Sequence, residues 1–296
     1  MSRVAYVNGK YVPHRSAQVH IEDRGYQFAD GVYEVIAAVD GKFVDTGPHL
    51  ARLERSLAEL RIAMPMSRRA LEMVMAEVVR RNEVENGIIY LQLTRGVAPR
   101  DHPFPAKAKT QIVMTARRAK PQPASFGEDG VKAITLPDIR WERCDIKSVS
   151  LLPNVLAKQA AREAGAYEAW MIDEDGMVTE GSSTNAWIVA KDGKLVTRNA
   201  SEAILNGVTR LTVLELARAE GLEFVERAFS LDEAKAAREA FITSTSALVL
   251  PVTQIDDTVI GNGKPGSLTS RLRRAYFAYM NDGAGAGGGA AARPGS

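Results

Sequence analysis

Several stretches of the sequence carry residue types that could do chemistry. In "RCDIKSVSLL", Lys147 lies between Ile146 and a serine, with a mostly apolar run following. Taking an ammonium out of water costs several kcal/mol unless it is paired or neutralised. Lys147 is therefore either a solvated loop charge or an amine kept for its reactivity. A partly desolvated lysine loses its proton more readily and becomes a nucleophile suited to Schiff-base chemistry. In "VTEGSSTN", Glu180 ends a strand and precedes small hydrogen-bonding residues. It reads as an exposed turn glutamate, or as an acid that pairs with a protonated pyridine nitrogen and keeps the ring able to accept a carbanion's electrons.

Two further stretches suit anions. "ILNGVTR" puts Gly207, Val208 and Thr209 at the start of a helix, where free N–H groups and the helix dipole attract negative charge. "TSTSALVLP" (Thr243–Pro251), with Thr245 and Ser246, adds hydroxyl and amide donors after a strand, and Arg52 in "HLARLERS" offers a guanidinium for a phosphate. Finally, "TRGVAPRDHPFP" is a proline-bounded loop. In extended backbone Arg100 and His102 point the same way, and together they could receive a carboxylate. The sequence has no metal-ligand spacing, nucleophile elbow or dinucleotide glycine fingerprint.

The elements that must position these residues are legible in outline. "RVAYVNGKYV" and "GVYEVIAAVDGKFVD" read as hairpins turning at Asn8-Gly9 and Asp40-Gly41. Leu50, Leu53, Leu57 and Leu60 recur at helical spacing, and a second helix is expected over residues 68–81. "GIIYLQLTRG" and "QIVMTARR" read as strands. The Pro-, Gly- and Ser-rich stretch 119–130 is expected to be a linker. Beyond it come a strand at "VKAITLP", a helix opened by Pro153, hairpins at Glu174–Gly176 and Asp192-Gly193, a helix at "TRLTVLELARAEG" and a strand at "EAFITST". The expected fold is α+β: a smaller α/β domain over 1–118, a larger one over 131–282, and the active site between them. The low-complexity tail from Gly283 is expected to be disordered.

Composition narrows the class. With 45% hydrophobic and 25% charged residues the 296-residue chain has an ordinary soluble make-up, and a net charge of +2 gives no reason to expect nucleic acid or an anionic membrane as partner. One cysteine, Cys144, excludes an internal disulfide. No apolar run is long enough to span a bilayer, and no signal-peptide segment is evident, so a cytoplasmic protein is expected.

Taken together, "EDRGYQFADGVYEV", "HLARLERS", "YLQLTRGVAPRDHPFP", "IRWERCDIKSVSLL", "VTEGSSTN", "ILNGVTR" and "STSALVLPV" resemble the D-amino acid aminotransferases of the fold-type IV pyridoxal-phosphate group. The resemblance covers about residues 1–280. It implies transamination between D-amino acids and 2-oxo acids such as 2-oxoglutarate, with pyridoxal 5'-phosphate as cofactor and no metal. By position, Lys147 resembles the Schiff-base lysine, Glu180 the partner of the pyridine nitrogen, and Arg52, Val208, Thr209, Thr245 and Ser246 the phosphate site. Tyr33, Arg100 and His102 resemble the trap for the substrate α-carboxylate, the last two reaching across the interface of a homodimer. Ala29 stands where many relatives have glycine, and the tail has no counterpart. Within the same fold, a branched-chain L-amino acid aminotransferase and an aminodeoxychorismate lyase are the rival enzymes. A non-enzymatic binding protein would have lost Lys147 or Glu180, and both are present.

Overall fold

The structure, a computed structural model, describes residues 3–120 and 122–282. The tail expected to be disordered lies outside the described residues. Two compact units form. The first holds residues 3–120, Ile146–Ser150 and residues 279–282; the second holds residues 122–145 and Leu151–Ala278. Ile146–Ser150 thus counts with the first unit, although it falls inside the 131–282 range expected as the second domain.

In the first unit, β1 (Val4–Val7) and β2 (Lys10–Pro13) are joined across Asn8 and Gly9, whose φ angles of 47° and 95° suit a type I′ turn. After α1 (Arg24–Phe28), β3 (Gly31–Val39) and β4 (Lys42–Phe43) form the second expected hairpin. Helices α2 (Thr46–Glu59) and α3 (Arg68–Arg81) precede β5 (Gly87–Thr94) and β6 (Gln111–Arg118). All neighbours in the six-stranded sheet β2-β1-β6-β5-β3-β4 run antiparallel.

The sheet buries one face by strict alternation: Val32 and Ile36 on β3, Ile89, Leu91 and Leu93 on β5, Ile112 and Met114 on β6. Leu50, Leu53 and Leu57 of α2 and Leu71, Met75 and Val78 of α3 complete this core. Each such side chain, fully buried, contributes about 1.5–3 kcal/mol. Ile146 belongs to the same core. So does the position between Val32 and Ile36, but there the residue is a glutamate, Glu34, with no solvent exposure.

The second unit runs α4 (Ala124–Glu128), β7 (Val131–Pro137), α5 (Leu152–Glu163), β8 (Glu168–Ile172), β9 (Val178–Gly181), β10 (Asn185–Val189) and β11 (Leu195–Thr197). It continues with α6 (Val208–Ala219), β12 (Phe224–Glu226), α7 (Leu231–Lys235), β13 (Glu239–Ser244), β14 (Leu248–Ile255), β15 (Thr258–Val259) and α8 (Ser267–Asn281). The sheet order is β12-β11-β10-β13-β14-β7-β8-β9, with β15 beside β14. Its parallel pairs are β11 with β12, β14 with β7 and β7 with β8. Every residue of β9, β10 and β11 is buried, as in a sheet covered on both faces.

The stretch expected as a linker contains α4. Pro123 caps its start, and Phe126 meets Tyr167 edge-on at 5.3 Å against the apolar core of this unit. Among the described residues, no helix is long and apolar enough to cross a membrane.

Ala29 closes α1 in the left-handed region, at φ 54° and ψ 27°. There an L side chain's Cβ crowds the backbone, at a cost of about 1–2 kcal/mol that glycine avoids. Ala29→Gly is therefore expected to stabilise the protein by about 1 kcal/mol after the entropy of the freer unfolded chain is deducted. Urea denaturation measures this; an unchanged or lower midpoint would show that α1 is not strained there.

Candidate active site

Lys147 is fixed at its backbone. Ile146 before it is anchored in the core of the first unit and Ser148 after it is buried. The Lys147 N–H donates to Ser56 Oγ at 3.3 Å, its carbonyl accepts from the Tyr33 N–H at 3.0 Å, and the Val149 N–H donates to the Gly31 carbonyl at 3.0 Å. The segment is thereby laid along the start of β3. Its Nζ lies 4.2 Å from the centroid of the Tyr33 ring, within cation–π range. Tyr33 itself packs beside Tyr90, centroid to centroid 5.7 Å. An amine and a phenol, both expected from sequence to do chemistry, are thus brought together.

Arg52 is held by Glu34. Its Nε and Nη2 donate to the two carboxylate oxygens at 2.8 Å each, and His49 Nδ1 lies 2.8 Å from Oε2. Burial alone would raise Glu34, but the Arg52 guanidinium and the His49 hydrogen bond bring it down to about 2. Burial holds His49 below its ordinary value, so the imidazole is neutral near pH 7. Neither Glu34 nor His49 stood out in the sequence reading. The available signal was a charged residue on the apolar beat of "VYEVI".

Arg100 and His102 lie on an exposed stretch outside any helix or strand, and the ring of Phe28 gathers them. The Arg100 guanidinium is 5.0 Å and the His102 ring 5.4 Å from its centroid.

In the second unit Glu180 is buried, not an exposed turn residue. Donors converge on its carboxylate: Arg140 Nη1, Asn185 Nδ2 at 3.0 Å and the Leu205 N–H at 3.2 Å. Arg140 in turn is gripped by Asp138 through Nε at 2.9 Å and Nη2 at 2.7 Å. Burial would lower Arg140, but Asp138 and Glu180 raise it above its ordinary value. Burial pushes the nearby Cys144 thiol up to about 12, which leaves no thiolate for chemistry near neutrality. The turn after Glu180 is fixed from beneath. Ser182, Ser183 and Thr184 all donate their hydroxyls to Glu168, the last two at 3.1 Å, and Glu168 has no solvent exposure.

Asn185 ties Glu180 to the start of α6. Its Nδ2 also donates to the Leu205 carbonyl at 2.8 Å, and a Cβ on Gly207 would fall 2.1 Å from its Oδ1. Glycine is required there by the closeness of that amide. Gly207 caps α6 with no side-chain hydrogen bond, so the helix opens with its amides at Val208 and Thr209, both buried. Thr245 and Ser246 form the turn between β13 and β14, tied by Gln122 Nε2 donating to the Ser246 carbonyl at 2.9 Å. Arg52 belongs to the first unit, and the other four expected anion-binding residues to the second. Among the described residues, no group of three or more His, Cys, Asp or Glu is placed to hold a metal ion.

Comparison with known proteins gives a consistent picture. The family model for amino-transferase class IV matches residues 31–255. A D-alanine aminotransferase of Bacillus licheniformis is 46% identical over 90% of this chain and 94% of that protein; one of Staphylococcus haemolyticus is 40% identical over 93% and 97%. Among solved structures, a branched-chain amino acid aminotransferase of T.th., with pyridoxamine 5'-phosphate, superposes with a TM-score of 0.88 at 27% identity, covering 95% of each chain. That of Escherichia coli gives 0.87 at 25% identity, again with 95% of each chain covered.

The Glu34 cluster makes stability depend on acid in two ranges. Below pH 6.5 the unfolded chain protonates His49, which the folded chain resists, so stability begins to fall. Glu34, depressed in the folded state, contributes fully above its ordinary 4.5, and that contribution is lost as pH drops towards about 2. Glu34→Gln is expected to cost about 3–5 kcal/mol at pH 7, because it leaves a buried guanidinium without its anion. The difference from wild type should narrow as pH falls from 4.5 to 3. Denaturation curves at several pH values would test this; a difference independent of pH would mean Glu34 is not ionised in the fold.

Proposed function

The chain belongs to amino-transferase class IV, and from that premise we propose that it moves the amino group of D-amino acids, such as D-alanine and D-glutamate, to a 2-oxo acid such as 2-oxoglutarate, with pyridoxal 5'-phosphate bound at Lys147. The observation that carries the reading is the Arg100–His102 pair gathered on Phe28, two nitrogen-bearing side chains that in this reading receive one carboxylate.

The residues present fit the cofactor. Lys147 offers an amine on a fixed backbone, Glu180 a carboxylate lined with donors, and the Gly207 start of α6 an uncapped helix end where only glycine has room. In this reading the N–H groups of Val208 and Thr209, the Thr245–Ser246 turn and Arg52 hold the phosphate, and Glu180 keeps the ring nitrogen protonated. When bound, the cofactor would supply an electron sink for the pair left at the substrate α-carbon. Lys147 removes the proton from Cα and returns it at C4′, as base and then as acid. Tyr33, whose ring lies beside that amine, helps orient the substrate carboxylate in this reading.

Handedness follows from where the carboxylate is held. With the Cα hydrogen towards Lys147 and the carboxylate on Arg100 and His102, one side remains for the side chain. A D-amino acid places its side chain there, whereas an L-amino acid must misplace the hydrogen or the carboxylate. Arg100 and His102 are exposed on their own chain, which supports a homodimer in which each subunit lends them to the other. A cytoplasmic setting accords with the single cysteine.

Lys147→Ala is expected to abolish turnover and the bleaching of the cofactor by D-alanine. Arg100→Ala should raise KM for D-alanine on the order of ten- to a hundredfold. Faster conversion of L-leucine than of D-alanine by the intact protein would favour the branched-chain reading. Mixing and re-associating the two variants, assayed at a D-alanine concentration far below the KM of Arg100→Ala, tests the dimer. If Arg100 serves the partner, hybrids regain about a quarter of the sites, with random pairing; if each subunit uses its own Arg100, mixing restores nothing.

A further inference from the structure

Residues 99–110 belong to no helix or strand, yet a carboxylate trap built on them has to hold its geometry to a fraction of an ångström. The structure shows what does so. Arg24, on α1, is 3% exposed and spends its guanidinium on this stretch. Nη1 donates to the carbonyl of Asp101 at 2.5 Å and Nη2 to that of His102 at 3.1 Å, the two peptide oxygens next to the trap residues. Its Nε donates to Asp30 Oδ2 at 2.8 Å.

Asp30 is itself fixed from the other side. Arg95 Nε and Nη2 donate to its two oxygens at 2.7 and 2.9 Å, and Arg95 also bonds the Leu60 and Arg61 carbonyls at the end of α2. Further along, Phe104 lies 3.6 Å from the Arg95 guanidinium and 4.8 Å from that of Arg61. One ring, Phe28, meets Arg24 at 4.8 Å as well as both trap side chains.

We infer that Arg24 and Phe28 are positioning residues for recognition of the substrate carboxylate, Arg24 setting the backbone of the Asp101–His102 segment and Phe28 the direction of the Arg100 and His102 side chains. The inference rests on the reading of Arg100 and His102 as the carboxylate receptor. A planar guanidinium can bridge two carbonyls and a carboxylate at once, while an ammonium is a single point of charge. The cost of ordering the loop is then met when the protein folds, and less is charged against substrate binding. Removing either residue should therefore weaken recognition of the carboxylate while leaving the proton transfer at Lys147 largely intact.

The test uses the cofactor-loaded protein and two variants, Arg24→Lys and Phe28→Leu, with Arg100→Ala alongside. Circular dichroism and thermal melting identify folded variants, and Phe28→Leu, which keeps apolar bulk, decides the matter if Arg24→Lys does not fold. D-alanine kinetics give KM and kcat. Calorimetry gives the affinity for propionate, which is D-alanine without its amino group. For each folded variant the expected result is a rise in KM for D-alanine and a loss of propionate affinity of about tenfold, with kcat lowered much less. Unchanged KM and propionate affinity, or a fall in kcat alone, would overturn the inference. If Arg100→Ala also leaves both unchanged, the failure lies in the carboxylate-receptor reading itself; if Arg100→Ala responds and these variants do not, that reading stands and only the positioning role falls.

Discussion

Long charged side chains can act at a fixed point only if something rigid and opposite in charge holds them, and this chain meets that requirement with buried carboxylates. Glu34 grips Arg52, Asp30 grips Arg24 and Arg95, and Asp138 grips Arg140, which in turn meets Glu180. In each case the carboxylate is almost wholly dry, so the pair cannot separate without stranding an ion in the interior. A hydrophobic pair of the same volume would pack as well or better. What the ionic pairs add is direction: a guanidinium clamped on one edge has its remaining edge aimed.

The scaffold beneath these clamps is general and the clamps are particular. The first unit's sheet needs only alternating apolar residues and two amphipathic helices to exist, and many sequences would satisfy it. Solved branched-chain aminotransferases share the architecture closely at about a quarter identity. Architecture therefore says little about which enantiomer is accepted; in the function proposed above, that choice falls to side chains on the 99–110 loop. The Arg24–Asp30–Arg95 chain ties the loop at Asp101 and His102 to the end of α2.

Much of this was legible in the sequence. Both N-terminal hairpins, the helix carrying Leu50, Leu53 and Leu57 and the helix start at Gly207 could be read because local rules governed them: turn dipeptides with positive φ, leucines at helical spacing, and a glycine before a helix start. Tyr33 and Glu180 could be placed on their strands for similar reasons, whereas Lys147 lies on no helix or strand and its segment groups with the first unit. The unread part depended on distant partners. Glu34 drew no notice because its partners, Arg52 and His49, meet it only across the helix–sheet interface, and Arg24 sits in a short helix that was not expected. Glu168 gave no hint that three hydroxyls fourteen to sixteen residues away would converge on it. The helix at the end of the described chain, α8, was not expected either. Its buried stripe is Thr269, Leu272 and Tyr276, too mixed in polarity to stand out.

The first unit is stitched from pieces far apart in the chain. Ser56 waits for the Lys147 N–H, ninety-one residues on, and Asp45, at the start of the helix that carries Arg52, accepts from the Tyr279 hydroxyl two hundred and thirty-four residues later. During synthesis the first 120 residues can assemble their sheet and helices, but they must remain unfinished until almost the whole protein has been made. Lys147 is thus among the later additions to a framework built long before it, and a nascent chain that stalls midway carries a nearly complete first unit without the segment that closes along its third strand.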